Sequence, residues 1–284
     1  MSLNIAIQKS GRLREDTIGL LKSAGIKIDT SKDQLKAPAR GMDATCFFLR
    51  NSDIPKYLED GVADVAIIGE NTIEEKMVDV ELRDKLGFSK CRLSIAVPKS
   101  FDYGSIKDLA GKKIATSYPN TLKKYLRKCG VDAHIHVISG SVEIAPNIGL
   151  ADAICDLVSS GSTLFKNGLV EKDVILRSEA VIAVNKHMDA DKRALLDQLL
   201  FRMRSVIKGR AHRYVLMNVP NDQIDAVSKI LPVLKSPTVL PLVEEGWSSL
   251  HSVIAEADFW SVINELKNLG AEGILIIPIE KMVV

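Results

Sequence analysis

Five consecutive residues, Ser159, Ser160, Gly161, Ser162 and Thr163, carry hydroxyls or no side chain, and none carries charge. They follow ADAICDLV, an apolar run that reads as a strand, and they lead into a helix predicted to begin near Ser162. A glycine turn between a strand end and a helix presents backbone N–H groups and a helix N-terminus, which together attract an anion. The hydroxyls add neutral donors. The GxxxxGK[ST] loop of nucleotide hydrolases is absent. The better fit is a terminal phosphomonoester, small, doubly charged and able to take many neutral donors. Asp156, just ahead of the turn, is placed to accept hydrogen bonds from a ribose attached to that phosphate. The same turn also reads as an ordinary helix start capped by Ser160 or Ser162, and both readings stand on these residues alone.

A second constellation lies in QKSGRLRED, where Lys9 and Arg12 bracket Gly11 at the start of a helix. Cations oppose the macrodipole at a helix N-terminus unless an anion sits between them. A solvated basic turn is the other reading. Arg50, ending the strand CFFLR, and Arg92, in CRLSIAVP, are further candidate cationic donors. His134 and His136 lack a third ligand at metal-site spacing. No Ser-His-Asp or reactive-cysteine arrangement can be assigned by spacing.

These groups need elements to hold them, and the chain supplies an alternation of short apolar runs with helical patterns. NIAIQ, ATCFFLR and VADVAIIGE read as strands separated by the helices REDTIGLLKSAGI and SDIPKYLEDG, which favours a parallel, doubly wound sheet. KKIATSY, PNTLKKYLRKCG, AHIHVIS, SVEIAPNIG and ADAICDLV repeat the pattern as strand, helix, strand, helix and strand. GVADVAIIGE and GLADAICDLV share Gly, an aliphatic residue, Ala and Asp in register, an internal echo that suggests two similar lobes. In such sheets ligands sit beyond the carboxyl ends of the strands, so Glu70 and the Asp156 loop are expected to face one cleft. After residue 210 the order becomes βαββαβ, the ferredoxin-like split motif. The predicted division is residues 1–98 with 178–210 as lobe I, 99–177 as lobe II, and 211–284 as a separate C-terminal domain.

Composition narrows the class. With 284 residues, 46% of them hydrophobic, the chain can bury large cores. Its 38 basic residues against 36 acidic ones give no field calling for nucleic acid or an anionic membrane, so any anion is bound locally. The scattered Cys46, Cys91, Cys129 and Cys155 show no CxxC spacing and point to a reducing, cytoplasmic setting. No basic leader or membrane-length apolar run is seen, so a soluble, unexported protein is expected.

The segments IAIQKSGRL, DIPKYLEDGVADVAIIGEN, CRLSIAVP, GSVEIAPNIGLADAICDLVSSGSTLFKNGL, LPVLKSPTVLPL and LGAEGILIIPIEKM together resemble the long form of ATP phosphoribosyltransferase over essentially the whole chain. That resemblance implies condensation of ATP, through adenine N1, with 5-phosphoribosyl 1-pyrophosphate (PRPP) to give N1-(5-phosphoribosyl)-ATP and pyrophosphate. It implies Mg²⁺ carried mainly by the substrate phosphates, lobes similar to those of periplasmic solute-binding proteins, feedback inhibition by histidine, and dimers that associate into hexamers. Ser159–Thr163 would then hold the PRPP 5′-phosphate, and Asp156 with Glu143 its ribose hydroxyls. Lys9, Gly11, Arg12 and Glu70 would line the pyrophosphate and ATP side, with Arg50 and Lys9 catalytic. The family's histidine site maps to Asn218, Leu234, Thr238 and Gly273, with Asn218 standing where some relatives carry an acid. The rival reading is a two-lobed small-molecule binding or sensor protein without chemistry.

Overall fold

The computed structural model describes residues 2–29, 34–231 and 236–283. Two compact units are present: one runs through Gly19 and from Ile26 to Leu196, the other comprises Leu20–Gly25 and the chain from Asp197 onward.

The first unit contains two sheets. Lobe I opens with β1 (Leu3–Gln8), α1 (Arg12–Ser23), β2 (Lys27–Ile28), β3 (Lys36–Arg40) and β4 (Ala44–Leu49). It continues through α2 (Ile54–Glu59), β5 (Val65–Gly69), α3 (Glu70–Lys76) and β6 (Glu81–Lys85). Lobe II follows with β7 (Cys91–Pro98), β8 (Lys113–Thr116), α4 (Pro119–Cys129), β9 (His134–Val137), β10 (Ala153–Val158), α5 (Ser162–Lys166) and β11 (Leu169–Ser178). The chain returns to lobe I as β12 (Ala180–Val184) and leaves through α6 (Ala190–Arg210). The strand orders are β2-β3-β4-β1-β5-β12-β6 and β11-β7-β10-β8-β9.

In each sheet the strands that carry the predicted site are parallel, β4, β1 and β5 in one and β10, β8 and β9 in the other. The strands next to the two chain crossings, β12 and β7, run antiparallel to them. Successive residues of β7 and β10 enter different cores. Leu93, Ile95, Val97, Ala153 and Cys155 join Leu122 and Leu126 of α4, whereas Ala96 and Ile154 join Leu164 of α5. That alternation is the period-2 pleat seen from inside, with a helix layer on each face.

Three expectations need correction. Cys91–Pro98, assigned to lobe I from sequence, is a strand of the second sheet, paired with β10 and β11, so the crossing lies between Lys85 and Cys91. SVEIAPNIG forms no full helix. It makes a single 3₁₀ turn, Val142–Ile144, because Pro146 lacks the N–H that a continuing helix needs. Its N-cap, Ser141, holds φ +52°, an uncommon conformation for a non-glycine residue. The strands β2, β3, β6 and β11 were not anticipated.

The internal echo is structural. Gly61 and Gly149 both adopt φ +72°. Three residues later, Asp64 accepts the Asn4 N–H at 2.8 Å and Asp152 accepts the Lys113 N–H at 2.8 Å. Each aspartate pins the first residues of the neighbouring parallel strand.

The last part of the second unit is βαββαβ: β13 (His212–Pro220), α7 (Ile224–Ile230), β14 (Thr238–Pro241), β15 (Trp247–Ala255), α8 (Glu256–Asn268) and β16 (Glu272–Pro278). Its antiparallel sheet, ordered β14-β15-β13-β16, is the ferredoxin-like arrangement, with Val215, Met217, Val219, Leu250 and Ile254 buried against Val227, Phe259 and Leu266. The chain beyond β16 crosses closely over α6. A Cβ on Gly209 would stand 2.8 Å from the Ile279 carbonyl oxygen and 2.9 Å from the Lys281 nitrogen, and Met282 N–H donates to the Ser205 carbonyl at 2.8 Å. Backbone atoms cannot swing aside, so Gly209→Ala is expected to destabilise by about 1–3 kcal/mol, read as a lower denaturant midpoint. A midpoint equal to that of the parent protein contradicts this close packing.

Candidate functional site

At the carboxyl edge of lobe I, the backbone brings two cations side by side. Lys9 follows β1 and Arg50 follows β4, and the Lys9 N–H donates to the Leu49 carbonyl at 2.7 Å. Arg12 opens α1 one turn further on, after Gly11 at φ +91°. All three basic residues are exposed, and among the described residues none has an ion-pair partner. Uncompensated cations clustered at strand ends form a local anion-attracting surface on a nearly neutral protein. The Arg50 carbonyl accepts the N–H groups of Asp53 and Ile54 at the start of α2, which fixes its backbone. Glu70 starts α3 directly after β5 and pairs with Lys85 at 3.0 Å, so its charge is already answered.

On lobe II, Ser159, Ser160, Ser162 and Thr163 are exposed at the carboxyl end of β10. Gly161, at φ +80°, is the N-cap of α5 and makes no side-chain cap. Ser160 Oγ accepts the Ser162 N–H only at 3.5 Å, a long contact at the first helical residue. Ser160 Oγ lies 3.1 Å from Ser162 Oγ, which gathers the hydroxyls on one spot. Any side chain at Gly161 meets backbone strain at that φ.

Arg92 does not join the free cations. It donates to both carboxylate oxygens of Glu171 at 2.5 Å, and through Nη1 to the Ser159 carbonyl at 3.2 Å, so it anchors the root of the loop.

Asp156 is half-buried, and desolvation raises its carboxyl pKa to about 6, against a lowering bond from its neighbour Leu157 N–H and a raising contribution from the nearby charge of Glu143. The interaction brings together the two carboxyl groups paired in the sequence reading. Tyr118, at the end of β8, is likewise pushed up, first by burial and then by the charge of Asp156, and stays a neutral hydroxyl.

The two carboxyl edges face each other. Asn71 Nδ2 in lobe I donates to Tyr118 OH in lobe II at 3.5 Å, while Ser178, at the second crossing, exchanges 2.9 Å bonds with the Asn71 backbone N–H and Oδ1. Deeper in, the Glu75 carboxylate of α3 accepts Asn120 N–H at 3.0 Å, Thr121 N–H at 2.9 Å and Thr121 Oγ–H at 2.8 Å. The sequence reading missed Asn71, Glu75 and Tyr118. The available signal was α4 itself, which opens Tyr118-Pro119 with no side chain of its own to cap it.

In the C-terminal sheet, Asn218 pairs with Ser249 and Glu272 across β15 and β16. Gly273 (φ +59°) stands so close that a Cβ there would meet Asn218 Nδ2 at 3.3 Å. Thr238 lies two strands from Asn218, paired with His251. Leu234, named with them from sequence, lies outside the described residues.

A family model described as ATP phosphoribosyltransferase matches residues 50–205, and one described as the HisG C-terminal domain matches residues 210–281. An ATP phosphoribosyltransferase of Cytophaga hutchinsonii is 53% identical over 281 residues, covering 99% of this chain and 98% of the relative. One from Bacteroides thetaiotaomicron is 51% identical over 282 residues, covering 99% and 100%. Among solved structures, the Thermotoga maritima ATP phosphoribosyl transferase (HisG:HisZ) complex contains a chain 32% identical with TM-score 0.64, of which 98% is covered by 72% of this chain. A substrate binding protein of an amino acid ABC transporter matches 73% of this chain and 94% of its own with TM-score 0.50 at 14% identity, a likeness of fold alone.

Proposed function

The chain belongs to the ATP phosphoribosyltransferase family of pentosyltransferases, and from that premise we propose that it joins adenine N1 of ATP to C1 of PRPP and releases pyrophosphate. The observation that carries the reading is the opposition of an exposed, hydroxyl-rich turn on lobe II to Lys9, Arg12 and Arg50 on lobe I, exposed and without ion-pair partners among the described residues.

Ser159–Thr163 hold the 5′-phosphate with hydroxyl and backbone N–H donors. Asp156 and Glu143 accept the ribose hydroxyls. The adenine N1 is unprotonated at neutral pH and attacks with its own lone pair as the C1–O bond breaks toward pyrophosphate, so no covalent intermediate and no initial base are required. The demanding step is departure of that charge from an oxocarbenium-like ribose, which Arg50 and Lys9 stabilise while the facing lobes align the reactants. Arg12 and the backbone at Gly11 extend the same surface, and Glu70, paired with Lys85, stands at the start of α3.

Among the described residues no group of three or more His, Cys, Asp or Glu is arranged to hold a metal. Mg²⁺ characteristically keeps several waters and takes one or two carboxylates with substrate phosphates, and Asp156 with Glu143 fits that donor set. These two carboxyl groups would share the ion with the substrate phosphates, and its charge would there help neutralise the leaving pyrophosphate.

The domain from residue 211 onward is read as a histidine-binding regulatory module around Asn218, Thr238 and Gly273, in an enzyme that forms dimers and hexamers in the cytoplasm. No helix among the described residues is long and apolar enough to cross a membrane.

Mixing the protein with ATP, PRPP and Mg²⁺ and following adenine absorbance is expected to show product that depends on all three. Binding of PRPP without any turnover would instead mark a two-lobed binding protein.

A further inference from the structure

We propose that Glu75 is a positioning residue that holds the two catalytic lobes closed, by capping helix α4 from the opposite lobe. α4 begins with a proline in its first turn and has Tyr118 as N-cap without a side-chain cap, so the Asn120 and Thr121 N–H groups have no partner within lobe II. Glu75, in the last turn of α3 on lobe I, supplies one carboxylate oxygen to each and takes the Thr121 hydroxyl as well. Its own backbone carbonyl accepts Asn120 Nδ2 at 3.0 Å, which completes a two-point grip on one residue.

The carboxylate is buried, at 7% exposure, and a buried charge persists only where donors replace its water. All three donors come from the other lobe. A negative charge at a helix N-terminus adds its favourable interaction with the macrodipole. The adjacent Lys124–Glu74 pair, 3.4 Å apart and exposed, contributes little by comparison.

The clamp and the cleft are one interface. Four residues before Glu75 on α3 is Asn71, two before Asn120 on α4 is Tyr118, and those two meet at 3.5 Å beside Asp156. Separation of α3 from α4 therefore moves the lobe I cations away from the lobe II phosphate turn. Closure is set in advance by protein bonds rather than left for substrates to enforce.

The kinetic part of this inference rests on the function proposed above; its structural part does not. Weakening the clamp lowers the closed fraction, and apparent affinity falls by that fraction, while saturating substrates refill the closed state. Glu75→Gln is expected to raise KM for both ATP and PRPP by about 10-fold with kcat within about twofold. In the ligand-free protein, the Asn120 and Thr121 amides are expected to exchange with solvent at least 10-fold faster. Thr121→Val removes one donor from the other side, with an expected KM rise of about threefold. The double variant should be no worse than Glu75→Gln alone, because both changes break one contact. Should Glu75→Gln not fold, Thr121→Val alone decides by the same two measurements.

Unchanged amide exchange with unchanged KM overturns the proposal, as does a loss confined to kcat or a double variant whose effects add. A parent protein that makes no product from ATP and PRPP refutes the proposed reaction, and amide exchange then still decides the clamp.

Discussion

Arg50→Ala is expected to lower kcat by about 10²–10³-fold while KM for PRPP stays within about threefold. Arg50 stands at the end of β4 next to Lys9, on a backbone fixed by the start of α2, and among the described residues no carboxylate pairs with it. A cation left unpaired at this edge is available to the charge that develops on departing pyrophosphate in the proposed reaction. In the proposed reading, ground-state PRPP is gripped mainly across the cleft, by the hydroxyl turn and the two carboxyl groups, so its binding should survive the loss. Steady-state kinetics on the variant separate the two roles. A raised KM with unaltered kcat would place Arg50 in uniform substrate binding and remove it from the leaving-group step.

The second large effect is expected at Asp156. Asp156→Asn should lower kcat/KM for PRPP by about 100-fold, since an amide replaces one acceptor oxygen by a donor facing ribose hydroxyls. It should also make the protein more stable, by a pH-dependent amount. The carboxyl group ionises near 3.8 ordinarily and near about 6 in the fold, so the folded state favours the protonated form. Its contribution is fully present below about pH 4 and is lost as pH rises through 6. At pH 8 the parent protein carries an ionised carboxylate short of water, and Asn should gain about 2–3 kcal/mol; at pH 4 the two should be equal. Denaturant melts at both pH values check this. A variant destabilised at pH 8 would mean that Asp156 supports the fold instead of straining it for function.

The same residue shows where sequence stops being informative. That Asp156 sits at a strand end before a phosphate-like turn follows from ADAICDLV and SSGS. Its raised pKa does not, because the burial comes from how lobe II folds around it and the opposing charge comes from Glu143, thirteen positions earlier on a turn misread as helix. The parallel core strands were legible because they are short and uniformly apolar. β6, ELRDK, was not, since an edge strand exposed to water tolerates charge at almost every position. β11 alternates unevenly because its pairing with β7 shifts register twice, which blurs a period-2 pattern. The aspartates of the echo were visible, but their shared task of pinning a neighbouring strand appears only once Asn4 and Lys113 are in place. Glu75 and Asn120 lie 45 positions apart, and nothing local in either segment announces the other. What local reading offered was a helix without a cap, an unsatisfied need whose remedy was tertiary.

The most direct measurement is the crystal structure of the protein with PRPP and Mg²⁺. The account predicts the 5′-phosphate within hydrogen-bonding distance of the backbone and hydroxyls of Ser159–Thr163, the ribose hydroxyls on Asp156 and Glu143, and the pyrophosphate toward Lys9 and Arg50. A phosphate seated anywhere other than that turn, or a pyrophosphate directed away from the lobe I cations, would contradict it.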